Sequence, residues 1–443
     1  MAAKVIDRLP MRELVAHASG GGWGAEAATD GTSPVAIIRG ADFPQVESGD
    51  ARTLPVRWET DRKIPQRTLE AGDIVLEISG GTDDRPTGRT VFVTDRLLAQ
   101  HSIPVIPASF CRLIRVDRKK VDPRYAYYWL QSMYSAGRTW EYQNRSTGLS
   151  NFQFNYFLDA ETVDLPPLDE QRRIAHILGT LDDKIELNRR MNETLEEMAR
   201  ALFKSWFVDF DPVRAKAGGR DPGLPKHLAD LFPDRLVDSE LGEIPEGWQV
   251  LPVDDEFRVT IGRTPPRKEA HWFSKEPTDV PWVSIRDMGQ AGAHLHEAAE
   301  YLTHDAVSTH RVEVIPAGTV LLSFKLTVGR VSIASRPLVT NEAIAHFHPR
   351  SANSVGAVYL YSYLKQFDYG ALGNTSSIAN AVNLKSVRAL RLLRPTPQAE
   401  GVFANVTEPV FAKMQALDVE ARTLAALRDV LLANVLQAAR MAR

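Results

Sequence analysis

The chain has 443 residues, with 53 Lys and Arg, 56 Asp and Glu, 44% hydrophobic residues and a single cysteine, Cys111. This composition predicts two to four globular domains, and one cysteine excludes a disulfide framework and any multi-cysteine zinc site. No stretch approaches the roughly 20 apolar residues of a membrane span, and the N-terminal segment lacks the apolar core of a signal peptide, so a cytoplasmic protein without a membrane partner is expected.

The net charge of -3 conceals an uneven distribution along the chain. Residues 101–150 contain 8 Lys and Arg against 3 Asp and Glu, and residues 305–395 contain 10 against 4. Residues 221–260, by contrast, contain 3 against 10. Two basic regions flanking an acidic one favour two separate anion-binding units, whereas chance unevenness on solvated surfaces is the alternative.

Three segments of the chain recur in the same order. Pro34–Gly40 aligns with Pro281–Asp287 at an offset of 247 residues, Ala71–Leu76 with Ala317–Leu322 at 246, and Ser146–Asn151 with Thr375–Asn380 at 229. Each match alone is weak, but three in order indicate an internal duplication. Their apolar runs, two of them entered through a Gly turn, are typical of strands, so each half is predicted to begin with a mainly β unit.

A long helix is predicted after the first β unit, from Asp169 as N-cap to Trp206. Its seam positions alternate in steps of four and three, as in a coiled coil: Ile174, Leu178, Leu181, Ile185, Asn188, Asn192, Leu195, Ala199, Leu202 and Trp206. The 38 residues would span about 57 Å. Asn188 and Asn192 interrupt the apolar seam, which predicts a role in fixing register, unless the helix is locally exposed there.

A second, rougher seam is predicted near the end of the chain. It comprises Phe403, Val406, Val410, Met414, Leu417, Ala421, Leu424, Leu427, Leu431 and Val435. Pro409 predicts a helix restart capped by Thr407. Between the two helices, the Asp-, Pro- and Gly-rich segment Asp211–Trp248 predicts an extended crossover.

Two narrow apolar stripes in one chain are most economically buried against each other. If the two halves are related by a pseudo-two-fold axis, the helices run antiparallel; the alternative is that each helix packs on its own β unit. Two basic modules in such an arrangement suit duplex DNA, where sites about 34 Å apart present the same groove. Because the modules differ in sequence, the expected target is bipartite and asymmetric with an unread spacer.

The segment from Leu165 to Asn188, with Leu-Pro-Pro-Leu-Asp-Glu-Gln-Arg-Arg-Ile at its start, resembles the central conserved region of specificity (S) subunits of type I restriction-modification systems. Ser205–Val213 and Glu240–Trp248 resemble the segments that connect this region to the second target recognition domain. The second copy has Arg394–Glu400 where the family often repeats a Pro-x-x-Glu-Gln signature, so the two docking surfaces need not be alike.

The resemblance implies an α+β fold with two mixed, mainly β target recognition domains joined by two long antiparallel coiled-coil helices. The implied boundaries are domain 1 at 1–164, spacer helix 1 at 165–210, the crossover at 211–247, domain 2 at 248–394 and spacer helix 2 at 395–443. Its implied partners are double-stranded DNA, two modification (methyltransferase) subunits and restriction (translocase/nuclease) subunits. Those subunits would use S-adenosylmethionine, ATP and magnesium for N6-adenine methylation and restriction, with no cofactor in this chain.

No catalytic, cofactor or metal motif is evident in the sequence. There is no Asp/Asn-Pro-Pro-Tyr motif for a flipped adenine and no Gly-x-Gly-x-x-Gly or Walker loop, and His294 and His296 show no ligand pattern. A non-catalytic recognition subunit is therefore expected. The alternatives are a coiled-coil scaffold that does not bind DNA, and an enzyme such as a nuclease with an unrecognised site.

Candidate DNA contacts are polar and basic residues of the basic regions, because Arg can bind guanine and Asn can bind adenine edges. In the first half they are Arg118, Lys119, Lys120, Asn144, Arg145 and Asn151. In the second half they are Lys325, Arg330, Asn374, Thr375 and Asn380. Most of the basic ones are expected to contact phosphates rather than bases.

Overall fold

The computed structural model describes residues 7–146, 149–370 and 383–441, and their side chains except those of 145, 146, 149 and 434–441. The chain forms two compact units. The first lobe comprises Met1–Leu187 and Ala421–Arg443, and the second lobe comprises Asn188–Glu420. Both long helices therefore contribute residues to each lobe.

The first lobe is mainly β with short helices. Its strands are β1 (Asp7–Pro10), β2 (Val15–Gly20), β3 (Thr32–Ile38), β4 (Val56–Thr60), β5 (Ile74–Glu77), β6 (Ser79–Gly81), β7 (Thr90–Phe92), β8 (Val105–Pro107), β9 (Cys111–Val116), β10 (Gln143–Ser146), β11 (Leu149–Phe152) and β12 (Thr162–Leu165). Its helices are α1 (Met11–Leu14), α2 (Phe43–Glu47), α3 (Ile64–Arg67), α4 (Asp95–Leu98), α5 (Pro123–Ser135) and α6 (Phe154–Ala160), with a 3-10 turn at Arg138–Tyr142.

Two sheets form the framework of the first lobe. An antiparallel sheet has the order β2-β9-β5-β7, and a second sheet has the order β4-β3-β8, in which β3 and β8 are parallel. All four residues of β5 are buried, which explains its unbroken apolar run up to Glu77. The strands β10-β11-β6 form a third sheet, and β1 pairs with β12.

Between the lobes' β regions the chain continues through α7 (Leu168–Phe207), α8 (Asp211–Ala217) and α9 (Lys226–Ala229). The strands of the second lobe are β13 (Leu236–Ser239), β14 (Gly242–Pro245), β15 (Gln249–Pro252), β16 (Phe257–Ile261), β17 (Phe273–Ser274), β18 (Val280–Val283), β19 (His294–Leu295), β20 (Glu300–Leu302), β21 (Val320–Ser323), β22 (Val331–Ala334), β23 (Val339–Thr340), β24 (Ile344–Pro349) and β25 (Arg391–Arg394). Its helices are α10 (Val253–Glu256), α11 (Ile285–Gln290), α12 (His304–Thr309), α13 (Ala357–Gln366) and α14 (Leu384–Arg388), with a 3-10 turn at Ala270–Trp272, before α15 (Pro397–Met441).

The second lobe repeats the strand order of the first. Its main sheet is β16-β24-β21-β22-β19, and a second sheet, β17-β20-β18-β23, contains a parallel β18/β23 pair. Gly72 and Gly318 precede β5 and β21 with φ of 95° and 84°, the left-handed turn expected before both buried strands. The first two sequence matches thus fall on equivalent strands. The third match is not tested by the structure, because residues 147 and 148 and all of 375–380 lie outside the described ranges.

The long helices α7 and α15 run antiparallel where they meet. In the second lobe, Asn192 Nδ2 donates to Asp418 Oδ1 at 2.6 Å, and the rings of Phe203 and Phe403 are 5.7 Å apart. In the first lobe, Arg428 Nη1 donates to Asp182 Oδ1 at 2.8 Å. In the second lobe α7 also contacts α13, since Phe203 packs on Tyr359. The predicted α+β fold class with two long antiparallel helices is confirmed.

The seam residues lie on the inner side of these helices. Leu178, Asn188, Trp206 and Leu417 are buried, and Ile174, Leu181, Ile185, Asn192, Leu195, Leu202, Leu424 and Leu431 are half-buried. Val406 and Leu427, also predicted as seam positions, are instead 46% and 47% exposed. Near Val406 the buried residues are Phe403, Thr407 and Phe411, because the seam there advances in steps of four.

Two local expectations were wrong. The helix does not restart at Pro409, which lies inside the continuous helix α15 on its exposed side, while the Thr407 hydroxyl donates to the Phe403 carbonyl 2.7 Å away. The crossover is folded rather than extended, since it contains α8, α9 and the β13–β14 hairpin. Its last residue, Trp248, is buried against Phe207 and Phe210. Among the described helices, none is long and apolar enough to cross a membrane.

Candidate nucleic-acid interface

In the first lobe, loops from four parts of the chain meet where β5 leaves its sheet. Ile78 N donates to Phe110 O, and Phe152 N donates to Ile78 O, both at 2.8 Å. Gly21 N donates to Cys111 O, which brings the Gly-rich segment 20–24 to the same end. The first loop edge is defined as segments 20–24, 78–88 and 108–110 together with the β10–β11 hairpin.

Polar and aromatic side chains are exposed along the first loop edge. Asn144 and Asn151 face each other in the β10–β11 register, and both are exposed. Trp23 is 43% exposed beneath the Arg57 guanidinium, 5.2 Å from the ring centroid, and Phe110 is 62% exposed. Amide side chains can bind base edges, and exposed aromatic rings can stack on bases. The backbone of Arg145 lies in the same hairpin.

A buried ion pair supports this edge from below. Glu77 is 2% exposed, and Arg89 Nη2 donates to its Oε1 at 2.5 Å and to the Gly40 carbonyl at 2.8 Å. The hydrogen bond to Glu77 raises the pKa of Arg89. Burial raises the pKa of the nearby Cys111 thiol to about 12, so this cysteine is no nucleophile at neutral pH. The Glu77–Arg89 pair beneath the edge therefore stabilises the structure, and no reactive group accompanies it among the described residues.

The basic run Arg118, Lys119 and Lys120 lies at the opposite end of the same sheet. Arg118 Nη2 donates to the Ala71 carbonyl at 2.5 Å, and Lys120 Nζ donates to the Glu13 carbonyl at 3.0 Å. Lys119 is exposed in the turn between them. The structure thus does not bring these three residues together with Asn144 and Asn151, although the sequence placed them in one region.

In the second lobe, the equivalent position is the loop Phe324–Arg330 between β21 and β22. The Ser323 hydroxyl donates to the Thr327 carbonyl at 2.6 Å and accepts from Arg330 N at 3.0 Å, which closes the loop at its base. Arg330 Nη1 donates to the Ile285 carbonyl at 2.6 Å. Lys325 is exposed, with its Nζ 5.5 Å from the Phe324 ring centroid.

The same loop packs on Tyr369, a residue that precedes a predicted contact segment in the sequence. A Cβ on Gly329 would lie 3.0 Å from the Tyr369 ring, so the loop packs directly on Tyr369. Two residues after Tyr369 begins the segment 371–382, and the predicted contacts Asn374, Thr375 and Asn380 lie in that segment, outside the described residues. The second loop edge is defined as the loop Phe324–Arg330 with Tyr369.

Many of the basic residues that favoured anion binding are paired with carboxylates. Pairs within the second lobe join Arg350 and Arg388 to Asp254, Arg394 to Glu256 and Arg391 to Glu240. Pairs within the first lobe join Arg115 to Asp73, Arg124 to Asp183 and Arg138 to Glu161. The carboxylates of the second-lobe pairs come from the acidic stretch 221–260, so folding neutralises part of the charge segregation seen along the sequence.

One group in the described residues has spacing suited to a metal ion, and no sequence motif predicts it. Ligand atoms of Glu313, His346 and His348 lie within 4.8 Å of one another. However, Thr340 Oγ1 lies 2.7 Å from His346 Nε2, Thr260 Oγ1 lies 3.1 Å from His348 Nε2, and Arg258 donates to Glu313 at 3.0 Å. The group is already satisfied internally, and the Arg258 cation would oppose a dication.

A cleft of about 610 Å³ lies in the first lobe between α5, the first half of α7 and the C-terminal part of α15. Its charged groups pair with one another: Asp182 accepts from the Tyr128 hydroxyl at 2.5 Å and from Arg428, and Asp183 accepts from Arg124 at 2.7 Å. Burial raises the pKa of Glu47 in the same cleft. These contacts join both long helices to the first β region.

Comparison with known proteins agrees with this duplicated arrangement. The family described as type I restriction modification DNA specificity domain matches the chain twice, over residues 59–197 and 245–396. Because the two matches together span more than half of the chain, the protein belongs to this family. One matched segment falls in each half of the chain, as a duplication requires, and the family resemblance is confirmed.

Individual relatives have related names. The chain is 28% identical over 425 residues to the type I restriction enzyme HindI specificity subunit of Haemophilus influenzae, covering 84% of this chain and 87% of that protein. It is 24% identical over 279 residues to the MjaIX specificity subunit of Methanocaldococcus jannaschii, covering 61% and 58%. The crystal structure of the S subunit from M. genitalium has a TM-score of 0.54 at 13% identity, covering 98% and 96%, which shows a shared fold.

Exposed apolar residues of the loop edges were missed by the sequence analysis. Trp23 lies in the run Gly20-Gly21-Gly22-Trp23-Gly24, a composition that strongly indicates an exposed loop and could have identified it. Leu326 and Phe110 gave no comparable signal, because an isolated apolar residue beside a buried strand is indistinguishable from a core residue in sequence.

Proposed function

We propose that this chain is the DNA sequence-recognition subunit of a type I restriction-modification complex, with one half of a bipartite, asymmetric target read at each loop edge. The observation that supports this most directly is that two copies of one framework expose different side chains at the same place. Asn144, Asn151, Trp23 and Phe110 occupy the first edge, and Lys325 and Leu326 occupy the second. A duplicated scaffold with divergent edges suits a target with two different halves.

In this proposal the chain is cytoplasmic, has no catalytic site or cofactor of its own, and directs partner subunits. Two modification subunits would bring S-adenosylmethionine for N6-adenine methylation, and restriction subunits would use ATP and magnesium. The names of the relatives support this assignment, since they describe specificity subunits of type I restriction enzymes. The internally paired charges of the first-lobe cleft support the absence of a catalytic role there.

Methylation mapping tests the proposal directly. The chain is co-expressed with modification subunits of its source organism in a host that lacks endogenous adenine methylation, and N6-methyladenine is located across the genome. A split, asymmetric motif is the expected result. Methylation at a continuous motif, or a chain whose removal leaves methylation unchanged, would contradict it. Binding of the complex to a duplex with the motif should also weaken steeply as salt rises.

The long helices are proposed to set the spacer between the half-sites. One four-residue insertion in α7 after Leu187, matched by a second in α15 before Ala421, lengthens both helices where the lobes divide. The expected motif retains both half-sites with a longer spacer. Altered half-sites at an unchanged spacing would refute the spacer role while leaving the recognition role open to the mapping test.

A further inference from the structure

Leu326 has an environment that folding alone does not explain. It lies in the loop Phe324–Arg330 of the second lobe with 98% of its surface exposed. Its φ is 61°, in the left-handed region that favours Gly or Asn over a branched apolar side chain. A leucine at this position combines an unfavourable backbone conformation with an apolar surface in water. Such a combination indicates that the Leu326 side chain serves to contact a partner molecule rather than to stabilise the fold.

The loop supports Leu326 on a braced base. Ser323 Oγ bridges the Thr327 carbonyl and the Arg330 amide, at 2.6 and 3.0 Å, and Gly329 N donates to the Ser323 carbonyl at 3.0 Å. Arg330 is further held by the Ile285 carbonyl. The side chain of Leu326 is therefore projected from a preorganised loop, as a contact that must enter a defined site requires.

The surroundings of Leu326 fit duplex DNA better than an apolar protein pocket. Its neighbour Lys325 is exposed and cationic, and the loop packs on Tyr369. A cation beside an isolated apolar side chain suits DNA, because the apolar side chain can contact a base step while the cation contacts a neighbouring phosphate. Proteins that kink DNA insert Leu, Phe, Ile or Met between base pairs in this way.

We propose that Leu326 inserts between two base pairs of the half-site read by the second lobe and partly unstacks them. This inference rests on the proposed recognition function and adds a means of recognition to it. Pyrimidine–purine steps unstack most easily, so part of the second half-site is read through the deformability of one step rather than through hydrogen bonds. In the first lobe the third residue after the buried strand β5 is Gly80, in β6, which has no side chain to insert at that position.

The test uses the full chain in complex with its modification subunits and a duplex containing the mapped target. 2-Aminopurine replaces each purine of the second half-site in turn. Binding of the wild-type complex should raise fluorescence at one step only. Leu326→Asn should abolish this rise and weaken binding about tenfold, because Asn suits the backbone conformation but is too short and polar to wedge. Leu241→Asn, at a half-exposed leucine in the β13–β14 turn, is the control and should behave as wild type.

A pre-opened duplex provides a second measurement. A single mismatch at the responding step removes much of the unstacking cost, so the wild-type complex should bind it more tightly than the matched duplex, and Leu326→Asn should bind both equally. Sequence-specific binding with no fluorescence change and no effect of Leu326→Asn would overturn the proposed insertion of Leu326 but not the recognition function. Loss of modification-subunit assembly in Leu326→Asn would assign the loop to a protein contact instead. Failure of the wild-type complex to bind any target would overturn the recognition function itself.

Discussion

The two lobes share a framework but anchor the equivalent loop by different means. In the first lobe, the strand β5 ends in Glu77, whose buried carboxylate pairs with Arg89 beneath the connection 78–89 to β7, which contains β6. In the second lobe, the strand β21 ends in Ser323, whose hydroxyl closes a loop of seven residues, 324–330. The same strand order therefore accepts a charged or a neutral anchor, and the exposed chemistry of each loop varies independently of the sheet below.

A shared feature of the framework should be far less tolerant of change than either loop. Gly21 and Gly262 follow equivalent strands, and a Cβ at either position would overlap a backbone carbonyl, that of Ala108 or of Thr340. Gly21→Ala and Gly262→Ala are each expected to cost about 4 kcal/mol or more, because both carbonyls are fixed by backbone hydrogen bonds, Ala108 O to Cys111 N and Thr340 O to Arg263 N. Urea unfolding would measure the loss in free energy of unfolding, and limited proteolysis would show which lobe is destabilised. Gly20→Ala, with open space around its Cβ, is the control; equal stability of Gly20→Ala and Gly21→Ala would break the comparison.

The charged anchor of the first lobe should be sensitive to neutralisation of its carboxylate, whereas the neutral Ser323 anchor has no charge to lose. Glu77→Gln leaves the Arg89 cation without its buried partner, and we expect about 3 kcal/mol of destabilisation confined to the first lobe. The control is Glu70→Gln, whose 63% exposed carboxylate pairs with Arg115 and should contribute less than about 1 kcal/mol. Denaturant titration of both variants measures the difference. Equal effects would show that the Glu77 pair is no more important than a surface pair.

Acid should weaken the second lobe through two buried histidines. Burial lowers the pKa of His294 and of His346 to about 4. Because the unfolded state binds protons from about pH 6.5 and the folded state only near pH 4, stability falls as pH drops through this window, by up to about 1.4 kcal/mol per pH unit for each histidine. The double variant His294→Gln, His346→Asn should flatten this dependence in unfolding experiments between pH 7 and 5. His304→Gln, at an exposed site, should not change it.

The smallest expected effect concerns the helix seam. Asn188 is fully buried, with its Nδ2 donating to Glu420 Oε2 at 2.8 Å and its Oδ1 without a hydrogen-bond partner among the described residues. Asn188→Leu should raise stability by about 1 kcal/mol while loosening the helix register. Melting temperature and cross-linking between cysteines placed on α7 and α15 would report the two properties. Met191→Leu, on the exposed face, should alter neither; a destabilised Asn188→Leu with unchanged register would show a purely stabilising role.

The framework was predictable because buried strands and long helices have periodic signatures. The repeats at Ala71–Leu76 and Ala317–Leu322 fall on equivalent strands, and the predicted helix from Asp169 to Trp206 differs from α7 by one residue at each end. Pro409 misled the prediction because sequence alone does not show that a proline lies on the exposed side of a long helix, where its missing hydrogen bond is tolerated.

The candidate interface was less predictable, because charge and proximity depend on the tertiary fold. Arg388 and Arg394 contributed to a basic region in sequence, yet Asp254 and Glu256 pair with them across more than a hundred residues of chain. Arg118 and Asn144 belong to one basic stretch of the sequence, but Arg118 follows β9 at the end of the β2-β9-β5-β7 sheet opposite the first loop edge, to which Asn144 belongs. Leu326 could be identified only from its backbone conformation and exposure, and neither is encoded in a short motif.

The division of the long helices between the lobes also sets the order in which the lobes can fold during synthesis. The second lobe is a contiguous stretch, 188–420, and can complete its core as soon as that stretch has emerged. The first lobe, although translated first, gains Arg428 against Asp182 and Leu432 against Leu178 only after the second lobe has been synthesised. A nascent chain stalled before residue 421 would therefore present an unfinished first lobe, with that helix surface uncovered and available to chaperones.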